Sequence, residues 1–189
     1  MIAIRHKDTV YFANSVAYHN HYPNLRVDAT TEETMHLWHV NDGLGTIVML
    51  SVRSDRITDV LRYSDMFDSC EMTLESLRGL GTRVRELYEE SNCYENDGDT
   101  GVTIYIARGD LAFRIYASGS VIAVEDFAAS GCYDNLLLVG HELTRDIEDI
   151  HKRIAAIYAI ATAESRNNAF PICVINTRDD SYTLLTGEE

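Results

Sequence analysis

The order in which the hydrophobic period changes constrains this chain more than any other feature. Alternating segments open it, segments spaced by three and four follow, and the same succession then repeats before short strands close the chain. Alternation marks half-buried strands and three-four spacing marks helices. Ile2 and Ile4, then Val10 and Phe12, flank Lys7-Asp8-Thr9, which predicts a hairpin at the head of the chain. A strand is expected over 35–40, followed by the turn Asn41-Asp42-Gly43. Residues 45–52 are apolar almost throughout, as in a strand covered on both faces.

Ser54 is placed to cap a helix with Ile57, Val60, Leu61 and Phe67 on one stripe. A second helix is expected from Thr73, with Leu74, Leu77, Leu80, Val84, Leu87 and Tyr88 in line. Gly79 and Gly81 interrupt it, each costing ~1 kcal/mol against alanine. After a loop over 92–101, strands are predicted at 102–107, 111–116, 121–124 and 127–129. A helix over 134–144 precedes a longer one capped by Asp146, with Ile147, Ile150, Ile154, Ile157, Tyr158 and Ala161 on its stripe and Asn167-Asn168 at its end. Residues 170–176 and 182–185 read as closing strands. Strand blocks separated by helix pairs predict an α+β protein in which two antiparallel sheets lie between helix layers, a four-layer αββα sandwich. The 189 residues suffice for a single domain over 1–189.

Charge narrows the function classes. Lys plus Arg number 16 and Asp plus Glu 30, a net charge of −14, which repels nucleic acid and anionic membrane surfaces alike. Arg5 to Asp8 break any signal-peptide core, and no apolar run approaches the ~20 residues of a membrane span. Cys70, Cys93, Cys132 and Cys173 form no C-x-x-C pair, as expected of reduced thiols in a cytoplasmic protein.

The segments IAIRHKDTVYFA (2–13), HVNDG followed by GTIVMLSVRSD (39–55), DFAASG (126–131) and ICVIN (172–176) together resemble the proteasome β-subunits and the bacterial heat-shock ring peptidases, which share the N-terminal-nucleophile hydrolase fold. The resemblance runs over nearly the whole chain. It implies a nucleophilic Thr, Ser or Cys at the head of the first strand, with its own α-amine as base. Here Met1 and Ile2 stand there, and removing Met1 would expose no hydroxyl or thiol. Where the family carries an Asp after the second strand this chain has Ser15, and where it carries a Lys the nearest residues are Met35 and His36. Only the Ser130-Gly131 turn is kept. The would-be pocket is therefore Met1, Ser15, Met35, Ser130 and Gly131. The expectation is a pseudoenzyme, with no cofactor, that acts by assembling with itself, in a ring if it follows the family, or with a protein partner.

Two alternatives stay open. Cys132 precedes a helix whose dipole would lower a thiol pKa, so Cys132 or Ser130 could serve a hydrolase with a non-standard nucleophile. His19 and His21, or His36 and His39, could hold a metal or small ligand, although neither spacing is diagnostic. Asp97-Gly98-Asp99 lacks the ligand spacing of a calcium loop and reads as a turn. Tyr63, Met66, Phe67 and Met72 lie beyond the narrowest helix stripe and are expected to form an exposed contact surface.

Overall fold

The computed structural model describes residues 1–15, 37–51, 61, 64–68, 70–90, 102–131, 133–163 and 169–187. Strands β1 (Ile2–His6) and β2 (Thr9–Ser15) form the opening hairpin, turned by Lys7 at φ 57°. β3 (Leu37–His39) and β4 (Ile47–Ser51) follow, then a 3-10 turn (Asp65–Phe67) and helix α1 (Leu74–Glu90). β5 (Thr103–Arg108), β6 (Leu111–Tyr116), β7 (Val121–Ala123) and β8 (Phe127–Ala129) lead to α2 (Asp134–Leu143) and α3 (Ile150–Thr162). β9 (Ile172–Asn176) and β10 (Ser181–Leu185) close the chain. The strands make two five-stranded antiparallel sheets, in the orders β10-β9-β2-β1-β8 and β3-β4-β5-β6-β7.

Alternation within each strand sorts the side chains into three cores. Ala3, Val10, Phe12, Cys173 and Ile175 of one sheet meet Leu37, Ile47, Met49, Tyr105 and Ala107 of the other. On the outer face of the first sheet, Ile2, Ile4, Ile172 and Val174 pack under Leu137 of α2 and Ile150, Ile154 and Ile157 of α3. On the outer face of the second, Val48, Leu50, Ile104 and Ile106 pack under Leu77, Leu80, Val84 and Tyr88 of α1. Strands covered on both faces are apolar on both, which is why segments such as 45–52 show no polar alternation. Helix, sheet, sheet, helix is the four-layer order expected. Among the described residues, no helix is long and apolar enough to cross a membrane.

The structure corrects three expectations. The long helix is capped by Asp149, not Asp146: its carboxylate accepts from the backbone N–H of His151 (2.9 Å) and Lys152 (3.0 Å), and Ile147 lies ahead of the helix. Phe67 sits in the 3-10 turn rather than on a helical stripe. Met66, Phe67 and Met72 are buried in the core beneath α1, where Phe67 meets Trp38 edge-on at 5.7 Å, so they form no exposed surface. The Ser54 cap, Tyr63, the loop over 92–101, Cys93 and Asn167-Asn168 fall outside the described residues.

The Asp149 carboxylate is held below its usual range, chiefly by the Lys152 N–H and then by that of His151, while desolvation opposes them. Its contribution is therefore present above the unfolded carboxylate pKa and is lost as pH falls through the folded value. Asp149→Ala is expected to lower the melting temperature at pH 7 and to have a fading effect below about pH 4. Thermal melts at both pH values check this, and an equal loss at the two would refute the capping role.

Candidate active site

The head of β1 is joined to the end of β8 as one further rung of the ladder. Ile2 pairs with Ala129. Beyond that pair, the Met1 nitrogen donates to the Ser130 carbonyl (3.1 Å) and the Ser130 N–H donates to the Met1 carbonyl (3.0 Å). Gly131 then turns the chain toward α2 at φ +104°, a region that side chains disfavour. Met1, Ser130 and Gly131 are thus neighbours at the head of β1. The Met1 side chain packs against the core between the sheets.

Beside this rung lie two buried hydroxyls. Ser130 is 3% exposed, and its Oγ has no hydrogen-bond partner among the described residues; nor does the hydroxyl of Tyr105. Burial pushes the Tyr105 phenol up to about 12, against the pull of the Arg114 guanidinium and the Ser130 hydroxyl. Arg114 stacks over Tyr116, its guanidinium carbon 4.4 Å from the ring centroid, and stands 5.8 Å from that of Tyr105. Ser15 lies past the end of β1 on the neighbouring strand, where its Oγ donates to the Ala169 carbonyl at 2.5 Å. Tyr158 likewise donates to the Ala13 carbonyl at 2.8 Å. Those two hydroxyls tie backbone together rather than face a reacting group.

Met35, His36, Cys132, His19 and His21 lie outside the described residues, as does Asp97-Gly98-Asp99. His39 directs Nε2 at the Tyr182 hydroxyl (3.3 Å) and at Asp180 (3.4 Å), bridging the two sheets. His141 is engaged by Asp126 and Arg153. Tyr105 and Arg114 were not singled out by sequence. Tyr105 was findable, since it shares the inner face of β5 with Ala107.

No family model matches this chain, and no curated protein does. Solved structures do match over almost its full length. BPH from Thiobacillus denitrificans aligns with TM-score 0.62 at 14% identity, covering 98% of this chain and 97% of that one. Eukaryotic HslV from Trypanosoma brucei aligns with TM-score 0.55 at 17% identity, covering 93% and 97%. A Gly-1 mutant of Anbu from Hyphomicrobium sp. strain MC1 aligns with TM-score 0.57 at 15% identity, covering 100% of this chain and 87% of that one. The chain has a proteasome-like fold. In this proteasome-like sandwich the head of β1 is the position at which the sequence resemblance places the nucleophile. Met1 occupies it, with Ile2, Ala3 and Ile4 wholly buried behind it.

Proposed function

We propose that this protein is a non-proteolytic, self-assembling module built on the proteasome-like sandwich. The observation that carries the reading is the Met1–Ser130 rung. The head of β1 offers a thioether where acyl transfer needs a hydroxyl or thiol, and the strand behind it is aliphatic. Ser130 is no ready substitute, because a serine nucleophile needs a base within about 3 Å, its Oγ has no hydrogen-bond partner among the described residues, and the neighbouring Tyr105 phenol, pushed up to about 12, is no base.

Assembly is supported by α2. Its buried face is Leu137, Gly140 and His141, yet Leu136, Leu138, Val139 and Leu143 on the other faces are 43%, 49%, 49% and 70% exposed. Helices apolar all round are normally covered on all sides, and contiguous exposed apolar surface marks contacts. Glu142 is paired with Arg145 at 2.9 Å, which offsets one acidic charge of this helix on a chain of net charge −14.

Three measurements test the reading. Fluorogenic peptides are expected to show no turnover. Epoxomicin, with which the Thiobacillus denitrificans BPH has been solved in complex, is expected to leave the intact mass unchanged. An epoxomicin adduct accompanied by turnover would overturn the non-proteolytic reading. Light scattering is expected to give a multiple of 21.3 kDa that tightens at higher salt, since screening removes repulsion but not apolar contact. Leu138→Glu combined with Leu143→Glu is expected to give a folded monomer, and a mass of 21.3 kDa for the unaltered protein at low and high salt would end the assembly reading.

A further inference from the structure

His141 is almost wholly buried, at 1% exposure, on the face of α2 that meets the body of the sandwich. Its Nε2 lies 3.1 Å from Oδ2 of Asp126, in the turn between β7 and β8. Its Nδ1 lies 3.2 Å from the Arg153 guanidinium on α3. The Phe127 ring of β8 stacks on the imidazole, with centroids 4.2 Å apart and planes 17° off parallel. One side chain thus ties α2 to α3 and to the edge of a sheet.

The partners dictate the state of the ring. Guanidinium only donates and ionised carboxylate only accepts. The arrangement is satisfied when Nδ1 is a bare acceptor for Arg153 and Nε2 carries the proton given to Asp126, which is the neutral imidazole. A second proton on Nδ1 would point an N–H at the N–H of Arg153, and the contact would become donor against donor and cation against cation.

We propose that His141 is an acid-released latch: neutral, it holds α2 onto α3 and β8, and protonation breaks its bond to Arg153 and loosens α2.

The surrounding charges set how the latch responds. Burial lowers the His141 pKa most, Asp126 raises it, and Arg153 and then Arg145 lower it; the net position is below the ordinary 6.5. Arg145, on the chain leaving α2, also bonds Glu142 (2.9 Å) and approaches Asp126 (3.4 Å), so part of the Asp126 charge is already neutralised. His6 of β1, Asp149 at the head of α3 and Glu125, which lines the same groove as His141, are further titratable groups in this neighbourhood, and the His6 pKa is itself lowered by burial, Lys7 and Arg153. Arg153 Nε has no partner among the described residues, so loss of the His141 bond leaves that guanidinium poorly anchored in a buried position. Because the folded pKa lies below the unfolded one, the stabilisation is complete above about pH 6.5 and is lost as pH falls from there through the folded value. Asp126 is half-exposed and, with His141, lines an open groove of about 640 Å³, so protons reach the pair without unfolding.

The latch stands apart from the assembly reading; only its effect on a contact made by the outer face of α2 rests on it. The test is therefore local. The imidazole of His141 is titrated by NMR from pH 8 to 5 in the unaltered protein and in Arg153→Gln. Hydrogen exchange of the α2 amides, corrected for its intrinsic pH dependence, is followed over the same range and also in His141→Gln, whose amide can donate and accept but cannot titrate. The expected result is a His141 midpoint below 6.5 that moves up in Arg153→Gln, with protection of α2 lost across that midpoint. His141→Gln is expected to lose this pH dependence. A midpoint unmoved in Arg153→Gln, or α2 protection that does not change across the titration, would overturn the proposal. Should His141→Gln fail to fold, the titrations of the other two proteins still decide it. If the latch holds but the oligomer's mass does not change across the same midpoint, the coupling to assembly falls and the latch stands.

Discussion

Phe12→Ala is expected to remove about 3–5 kcal/mol of stability, a large share of the ~5–15 kcal/mol that a domain commonly has. Phe12 is 0% exposed and reaches from β2 into the space between the sheets, where its ring meets Tyr105 at 6.1 Å. Ala3, Val10, Leu37, Ile47, Met49 and Ile175 belong to the same core. Each wall of this core is a sheet pinned by its own hydrogen-bond ladder, so it cannot close around a missing ring as a loop would. The cavity term therefore adds to the transfer term. Phe12→Leu keeps most of the volume and is expected to cost less than about 1.5 kcal/mol. Urea denaturation of the two variants checks this. Equal losses would mean that the sheets do not interlock at Phe12.

The second large effect is a contrast between two glycines of α1. Gly79 has open space where a side chain would stand, and a Cβ there meets nothing within 4 Å. Gly79→Ala is therefore expected to stabilise the protein by up to ~1 kcal/mol through helix propensity. At Gly81, two residues on, a Cβ would stand 2.3 Å from the Gly119 carbonyl oxygen and 3.0 Å from a methyl carbon of Val121. Gly119 is itself at φ +83°, in the turn between β6 and β7, and a Cβ there would meet the Gly81 carbonyl oxygen at 2.9 Å. The two backbones pack with no room between them, and the tightest contact on each side is a backbone carbonyl oxygen. Gly81→Ala is expected to destabilise by about 1–3 kcal/mol despite its gain in propensity. Thermal melts decide the pair, and shifts of the same sign would refute the close approach of α1 to the β6–β7 turn.

The two glycines also show where sequence reading stops. Both interrupt the same helix at the same nominal cost, and the position of a distant turn separates a tolerated residue from a required one. Tyr105 could be assigned inward from its alternation with Ala107, but its hydroxyl lying buried beside Ser130 depends on β5 and β8 belonging to different sheets of one sandwich. Asp146 and Asp149 both offer a capping carboxylate near the start of the same apolar stripe, and the structure starts α3 at Ile150, behind the later one. Met66, Phe67 and Met72 looked surplus to a narrow helical stripe because the sheet face that covers them comes from other parts of the chain.

What the sequence determined by itself is the succession of layers. Periodicity is a local property, since side chains alternate across a strand and recur by three and four along a helix whatever else the chain does. It therefore allowed the four-layer order to be read without coordinates, whereas the expectation of a nucleophile at the head of β1 came only from the family resemblance. The tertiary structure alone decided the Met1–Ser130 rung, which joins residues 129 apart, and the setting of His141, whose partners lie 15 residues before and 12 after it. A ladder rung and a buried polar cluster are made by groups that no local period relates. Their chemistry follows from which donors and acceptors are left facing one another once the layers have closed and water has gone.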